Sequence, residues 1–282
     1  MRRAVAIVTD STAYLDAHEA AERGIRVVPL QLVIGGRALD EGPAVGAAEL
    51  ADALRRWVPV STSRPSPQAF LQAYESATGG GATAVVSIHL SGQLSGTVDA
   101  ARLAAQDSPV PVEVVDARSI GMGLGFAVLA AANAADEGFD MAAVAAVARH
   151  RAASSAAFFY VDTLEYLRRG GRIGAAQALL GTALHVKPLL HLADGEIQPL
   201  EKVRTSSRAV ARLEELVVGR AADQSVDIAV HHLDNAQRAG ALAERLASRL
   251  PGIGRLVVAE VGAVIGAHVG PGLLAVVVSP HA

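Results

Sequence analysis

The sequence predicts an α/β protein with two domains, and two observations carry this prediction. Short runs of β-branched residues alternate with longer Ala-, Leu- and Arg-rich segments of helical period, a pattern that is typical of βαβ units and parallel sheets. Near residue 155 the pattern changes, and a hairpin signal is then mixed with βα units. We therefore expect a parallel-sheet α/β/α domain at residues 1–155 and a mixed α/β domain at residues 156–282.

The N-terminal half is predicted to supply the strands and helices of the parallel sheet. Its extended segments are Val5–Val8, Arg26–Val33, Thr83–His89 and Val112–Val115. Helices are expected from about Thr97, from the Gly-rich turn at 121–125 to about Asp136, and over Met141–Ala153. Because Met141–Ala153 has almost no polar face, we expect neighbouring elements to cover it on most sides.

The C-terminal half is predicted to contain further strands and two long helices. The strands are Ala157–Val161, Val186–Leu192, Glu196–Val203, Asp227–His231, Leu256–Glu260 and Leu273–Val278. The helices are Ser206–Arg220 and Asn235–Leu250, and a single helical turn is expected at Leu164–Leu167. Asp194-Gly195 separates two of the strands and is a favoured pair of residues for a hairpin turn.

Composition narrows the class of protein. The chain has 282 residues, a net charge of −3 and no cysteine. It therefore gives no sign of a nucleic-acid surface, and it excludes a disulfide framework or a Cys-based zinc site. The N-terminal apolar run is too short for a signal-peptide core, and no stretch approaches the roughly 18 apolar residues of a membrane helix. We expect a cytoplasmic protein without an integral membrane segment.

Two hydroxyl-rich clusters lie where α/β proteins usually place ligands, just past the ends of strands. Thr62 belongs to the run Ser-Thr-Ser-Arg-Pro-Ser at 61–66. Capping of the next helix by Ser66 explains this run, and so does a hydroxyl directed at a ligand oxygen. Ser95 and Gly96 lie in the loop at 90–97, where a helix start and close backbone approach favour an anion. Turn formation alone is the alternative for that loop.

Three other clusters are more ambiguous. The glycines at 121–125 lack the third position of a dinucleotide fingerprint, which is Phe126, so tight helix–sheet packing explains them better. The arginines of segment 168–172 form either a loop that grips an acidic group or a solvated charged loop. His268 stands among glycines at 266–272 and is expected either to face a cavity or to be structural.

Several stronger signatures are missing from the sequence. It contains no Walker A motif, no H-E-x-x-H motif and no G-x-S-x-G elbow around Ser95. His231 and His232 are adjacent on a predicted strand, so they point to opposite faces and do not share a metal through one face. We therefore expect no metal site and no nucleotide site.

Taken in order, these blocks resemble the DegV family of fatty-acid-binding proteins nearly from end to end. The matching blocks are Val8–Ser11, Thr62–Ser66, Leu94–Thr97, Thr163–Ile173, Val186–Leu190, Lys202–Arg204 and His268–Gly272. The resemblance implies two α/β domains with a long-chain fatty acid in a slot between them, and no cofactor. One departure is Arg64, which stands where Gln is more usual in the family.

The resemblance also implies roles for individual residues. The hydroxyls of Thr62 and Ser95 would hold the carboxylate and His268 would complete the hydrogen-bond network. Gly96 and Arg172 would lie beside the headgroup. In the better-understood relatives a separate fatty-acid kinase phosphorylates the bound acid, and the acyl phosphate then feeds phospholipid synthesis. Arg204 matches a family arginine that is linked to engaging the kinase. The implied protein is a carrier without catalysis of its own, and a monomer is the default expectation.

The energetics of burial agree with a carrier. Each buried methylene contributes about 0.8 kcal/mol, so the acyl chain supplies most of the affinity and the polar groups orient the carboxylate. The competing interpretation is an acyl-ester hydrolase with Ser95 as nucleophile and His268 as base, oriented by Asp10 or Asp116. A structural protein with a vestigial slot is the third interpretation.

Overall fold

The computed structural model describes residues 3–42, 49–50, 52–53, 56, 58–179 and 187–281. The described strands are β1 Val5–Asp10, β2 Arg26–Val28, β3 Gln31–Ile34, β4 Arg37–Asp40, β5 Val60–Ser63, β6 Ala84–His89, β7 Val112–Asp116, β8 Ala156–Tyr160, β9 Lys187–Ala193, β10 Glu196–Val203, β11 Val226–His232, β12 Ile253–Glu260 and β13 Leu274–Pro280. The described helices are α1 Ala17–Glu22, α2 Pro67–Gly79, α3 Thr97–Ala105, α4 Met122–Asp136, α5 Met141–Ser154, α6 Glu165–Arg169, α7 Ser206–Ala221, α8 Ala236–Arg249 and α9 Ala263–Val269.

The strands form three sheets in the described chain. A parallel sheet has the order β2-β1-β6-β7, and a mixed sheet has the order β10-β9-β8-β13-β11-β12. Within the mixed sheet only the β11–β12 pair is parallel among the described pairings. A small antiparallel sheet has the order β4-β3-β5. The predicted α/β class, with a parallel sheet followed by a mixed one, is confirmed.

The helices and the two large sheets alternate as five layers. One face of the parallel sheet packs on α2 and α3 through side chains such as Val85 and Tyr74. Its other face packs on α4 and α5, and the same two helices also contact β13 of the mixed sheet. The outer face of the mixed sheet packs on α7 and α8 through Leu213 and Leu242. The α4–α5 layer is therefore shared by both halves of the chain, and the division after residue 155 stays a prediction.

The local signals at turns and caps are reproduced by the structure. Ser66 caps α2 by accepting a hydrogen bond from Ala69 N, and proline occupies the first helical position. Asp194 and Gly195 have φ values of 54° and 83°, the left-handed conformations that a tight hairpin turn requires at both central positions. The tip of this hairpin meets the N-terminal half, because Ser91 Oγ donates to Gly195 O at 2.7 Å.

The structure differs from the predicted elements in one strand and adds elements that were not predicted. The segment predicted at Arg26–Val33 is two strands, β2 and β3, which belong to different sheets. The small sheet and helix α9 were not predicted, since their strands have four residues each and α9 has seven. Val186, the predicted first residue of a strand, lies outside the described residues. No helix in the described ranges is long and apolar enough to cross a bilayer.

The helix that is covered on most sides is α4, not α5 as the sequence suggested. Nearly every residue of α4 is buried, whereas Ala142, Ala146 and Ala153 on α5 are exposed. Alanine is the best helix former and has a short side chain, so an alanine-rich face is tolerated in water. For that reason the missing polar face of α5 was a poor guide to its burial.

Candidate functional site

An apolar cavity lies between the mixed sheet, the small sheet and α9. Its empty space is about 1000 Å³, which includes open solvent at its mouth. The mixed sheet provides the floor and α9 provides Val264, Ile265, His268 and Val269. We call this cavity the slot. Its floor residues are Ile197, Leu192, Phe159, Ala275, Val277 and His231.

The slot runs across the strands of the mixed sheet. Its floor extends from Ile197 on β10, over β9, β8 and β13, to His231 on β11. Neighbouring strands lie about 4.8 Å apart, so four spacings give a length of about 19 Å. An extended hydrocarbon chain with tetrahedral C–C bonds of about 1.5 Å rises about 1.25 Å per bond. The floor therefore matches a chain of about 16 carbons.

Polar side chains gather at one end of the slot. Thr62 on β5 and His268 on α9 lie 2.8 Å apart, measured from Oγ1 to Nε2. Arg172, which follows α6, donates to Leu94 O at 3.0 Å and to Gly170 O at 2.7 Å. The α-carbon of Gly170 supports the His268 ring, because a Cβ added there would lie 2.0 Å from His268 Nδ1. These contacts join residues from β5, α9 and two loops into one polar end.

His268 is neutral at this end of the slot. Burial, assisted by the neighbouring charge of Arg172, lowers the pKa of His268 to about 4. Its Nδ1 is buried and has no hydrogen-bond partner among the described residues. Since a buried N–H without an acceptor is rare, we assign the proton to Nε2, which then donates to Thr62 Oγ1. The Thr62 hydroxyl is left free to donate into the slot, as binding of a carboxylate oxygen requires.

Ser95 reaches the same end from the loop between β6 and α3. Its side chain lines the slot, and its Oγ lies 2.8 Å from Thr97 Oγ1. Gly96 stands next to it without lining the slot itself, and its carbonyl accepts from Arg64 Nη1 at 3.5 Å. A side chain at position 96 would collide with Arg64, whose Nη1 lies 2.1 Å from the position of an added Cβ. Glycine at this position therefore lets the arginine lie over the loop.

A second depression lies outside the polar end. It shares Thr62, Arg172 and His268 with the slot, and it is bordered on the other side by Thr163 and Tyr166. We call it the outer groove. The Thr62–His268 pair is the partition between slot and outer groove, so a headgroup held there is close to the surface.

Arg204 lies away from the slot, in the turn between β10 and α7. It is exposed, and no carboxylate lies within 4.0 Å of it in the part of the chain that the structure describes. The preceding residue, Val203, pairs with Lys187, whose Nζ donates to Asp162 beside the outer groove. Arg204 is thus a surface residue on the side of the molecule that carries the outer groove.

The structure does not assemble the hydrolase that the sequence left open. His268 Nε2 faces Thr62 and not Ser95, and its Nδ1 has no acidic partner in the described chain. Asp10 is hydrogen-bonded to His89 in the core of the parallel sheet, and Asp116 accepts from the backbone of Gly92 and Arg118. Neither carboxylate orients His268, so the described residues form no nucleophile–base–acid arrangement at the slot.

His231 is a slot residue that sequence reasoning considered only as a metal ligand. Its Nε2 accepts from Met122 N at 3.1 Å, which places the proton on Nδ1. Burial lowers the pKa of His231 to about 4. Gly121, with φ of 62°, brings the start of α4 against this ring. In the described ranges no three His, Asp or Glu side chains are grouped to hold a metal ion.

The fold and this cavity define a class of protein: a two-part α/β protein that encloses an apolar, chain-shaped slot with hydrogen-bonding groups at one end. Comparison with known proteins agrees with that class. The model of the DegV family, described as a family of uncharacterised proteins, matches residues 4–281. The chain therefore belongs to the DegV family.

The similarity extends over whole chains. A DegV domain-containing protein of Streptomyces coelicolor is 58% identical over 279 residues, which cover 99% of both chains. A solved DegV family protein from Thermus thermophilus, described by its fatty-acid binding, has a TM-score of 0.94 at 34% identity and covers 100% of both chains. DegV from Bacillus subtilis, described as a fatty acid binding protein, has a TM-score of 0.91 at 31% identity over 99% of this chain and 100% of its own.

Proposed function

We propose that this protein binds one long-chain fatty acid, with the acyl chain in the slot and the carboxylate at the Thr62–His268 end. The observation that carries the proposal is the apolar slot, whose floor crosses five strands of the mixed sheet and whose polar groups gather at one end. Solved relatives at 34% and 31% identity are described as fatty-acid binding, which supports the same ligand class here.

The polar end suits a carboxylate that is to remain reactive. Thr62 and Ser95 are neutral donors, and His268 is neutral above about pH 4 because burial depresses its pKa to that value. Neutral donors orient a carboxylate and add about 1 kcal/mol each. One carboxylate oxygen is left available for reaction.

Mass spectrometry of the purified protein tests the ligand class, first under native conditions and then after organic extraction. We expect one fatty acid per chain, of about 16 carbons as the slot length indicates. A protein that arrives empty and takes up no acid from a supplied mixture would contradict the proposal. A retained ester that is cleaved, with cleavage lost on Ser95→Ala, would favour the hydrolase instead.

We further propose that a separate fatty-acid kinase phosphorylates the bound acid, and that the acyl phosphate is used in phospholipid synthesis. The exposed arginine Arg204 and the outer groove support a partner on that side of the molecule. The variant Arg204→Ala is expected to lower acyl-phosphate formation with a partner kinase and to leave fatty-acid binding unchanged. Arg238, exposed on α8, provides the matched control, and equal activity of the two variants would contradict the proposal.

The setting of this activity is also part of the proposal. We infer a monomer that works in the cytoplasm, because the sequence has no cysteine that would need an oxidising compartment and the partner side requires a free surface around Arg204. Light scattering of the purified protein is expected to give the mass of one chain. A stable dimer that covers Arg204 would contradict this.

A further inference from the structure

Two arginines at the polar end of the slot have no acidic partner. Arg64 and Arg172 both line the slot, and their hydrogen bonds go to backbone carbonyls of Gly96, Leu94 and Gly170. All 28 acidic side chains of the sequence lie within the described ranges, and none of them comes within 4.0 Å of either guanidinium there. Neither arginine has an ion pair with an acidic side chain in the described chain.

Other arginines of this chain are paired differently. Arg151 with Asp227, Arg212 with Glu201 and Arg255 with Glu19 form ion pairs at 2.5–2.7 Å. Arg204 shows that an arginine without an ion pair also occurs elsewhere on the surface, so what distinguishes Arg64 and Arg172 is that both line one cavity. Cationic side chains without a carboxylate partner are a feature of sites that receive an anion.

The two guanidinium groups are hydrogen-bonded to the same loop. Arg172 donates to the carbonyl of Leu94 and Arg64 to that of Gly96, which are two residues apart in the same loop. Consecutive α-carbons are about 3.8 Å apart, so the two anchoring residues are separated by at most about 7.6 Å. One headgroup with several oxygens is able to contact both.

A fatty-acid carboxylate carries a single charge and leaves one of these two arginines uncompensated. Arg64 is the exposed residue among those that line the slot in the described chain, so it lies at the mouth of the slot. A group attached to the carboxylate and extending toward this mouth comes to Arg64. A phosphoryl group there carries about two charges at neutral pH and presents three acceptor oxygens.

We propose that Arg64 and Arg172 form a phosphate-accepting clamp at the mouth of the slot, which favours an acyl chain with a doubly charged phosphate headgroup over the free acid. The proposal rests on the proposed function, since the acyl chain still occupies the slot. Arg64 is then the specificity-determining residue, because a glutamine at this position keeps the hydrogen-bonding capacity and removes the charge.

The test compares palmitate with hexadecyl phosphate as competitors of a fluorescent fatty acid. The measurements are made near pH 8, where a phosphate monoester with a second pKa near 6 is doubly charged. In Arg64→Gln the affinity for hexadecyl phosphate is expected to fall about tenfold, the size of a lost charge-assisted contact, while palmitate affinity changes less than about threefold. In the wild-type protein, added salt should reduce the preference for the phosphate.

A matched control removes the same charge elsewhere. Arg102 is exposed on α3 and pairs with Asp99, so Arg102→Gln should leave the ratio of the two affinities unchanged. An unchanged ratio in Arg64→Gln would overturn the clamp while leaving fatty-acid binding intact. Failure of the wild-type protein to bind either ligand would overturn the proposed function and the clamp together. Displacement of the probe by inorganic phosphate alone would show a free-anion site and overturn the headgroup assignment.

Discussion

At the scale of single residues, Gly170 helps to position the ring of His268, which rests on its α-carbon. The backbone of Gly170 has a φ of −74°, which any residue adopts, so an alanine there causes no backbone strain. Its methyl group would nevertheless overlap His268, since Nδ1 lies 2.0 Å from the position of the added Cβ. The hydrogen bond between His268 and Thr62 depends on this close approach.

We therefore predict that Gly170→Ala weakens fatty-acid binding by about tenfold, the loss of one to two oriented hydrogen bonds. Gly219 on α7 has no atom within 4 Å of an added Cβ, so Gly219→Ala is the matched control and should leave binding unchanged. The measurement is titration of the delipidated proteins with palmitate. Equal affinities in the two variants would show that the position of His268 does not matter for the headgroup.

We predict that the stability of the fold depends on pH because the ring of His231 is buried. The folded-state pKa is about 4, below its ordinary value of 6.5, because the ring is buried. Between these values the unfolded chain binds a proton that the folded protein excludes, so stability is complete above about pH 6.5 and declines as the pH falls toward 4. A pKa shift of this kind lowers the free energy of unfolding by about 2 kcal/mol as the pH falls from 6.5 to 5.

Urea unfolding at several pH values measures this effect. In His231→Gln the amide oxygen still accepts from Met122 N, but the side chain no longer titrates, so the decline below pH 6.5 should be shallower than in the wild type. His18 is exposed on α1, and His18→Gln should keep the wild-type slope. Identical slopes in all three proteins would mean that His231 is protonated in the fold.

At the scale of elements, the roof of the slot depends on a residue that is distant in sequence. Helix α9 begins after Gly262, which offers no side chain to cap it. Glu41 takes that role from the N-terminal half, because its Oε1 accepts from Val264 N at 2.9 Å and its Oε2 accepts from Ser11 Oγ at 2.6 Å. The first turn of this short helix therefore depends on a side chain from another part of the chain.

The variant Glu41→Ala is expected to lose about 1–2 kcal/mol of stability, the usual cost of removing a helix cap. Because α9 carries His268, fatty-acid affinity should fall as well. Glu22 is exposed on α1, and Glu22→Ala should change neither quantity. Thermal unfolding with and without palmitate checks both effects, and wild-type affinity in Glu41→Ala would show that the roof needs no cap.

The elements also show how far the sequence determines the fold. Strands such as β6 and β11 were predictable because they are runs of six or seven mostly apolar residues, and helices such as α7 because they have a helical period over many residues. Helix α9 was not, since seven residues flanked by glycines give too little periodicity. The strands of the small sheet were not predicted for the same reason. Only tertiary contacts stabilise such short elements.

The residues of the candidate site differ in how well the sequence predicts them. Thr62, Ser95, His268 and Arg172 stand in recognisable motifs, and the structure brings all four to the slot. The floor residues gave no local signal, because they come one or two at a time from five strands that are adjacent only in the folded sheet. His231 was not predicted as a slot residue, because its position next to His232 suggested only a metal ligand.

At the scale of the whole molecule, the α4–α5 layer joins the two halves. These helices bury residues against the parallel sheet on one side and against Ala229 and Val277 of the mixed sheet on the other. Unfolding of either sheet would expose an apolar face of the same helices. The two parts therefore stabilise one another more than separate domains joined by a linker do.

We predict a single unfolding transition in urea in spite of the length of 282 residues. Hydrogen exchange at β6 and β12, one strand from each large sheet, should report the same free energy of opening within about 1 kcal/mol. A fragment of residues 1–155 should be unfolded or aggregate, because its α4 and α5 would be exposed to water. Two separate midpoints, or a folded fragment, would contradict this coupling.

The position of the slot mouth has a consequence for how a lipid enters. The exposed lining residue is Arg64, beside the headgroup, whereas His231 at the other end is 3% exposed. An acid must therefore enter methyl end first. In a bilayer the orientation is opposite, because the carboxylate faces water and the methyl end lies at the midplane.

The protein is thus suited to capture acids that have already desorbed, and its uptake rate from vesicles should equal the desorption rate at every vesicle concentration. A rate that rises with vesicle concentration would instead indicate direct collision with the membrane.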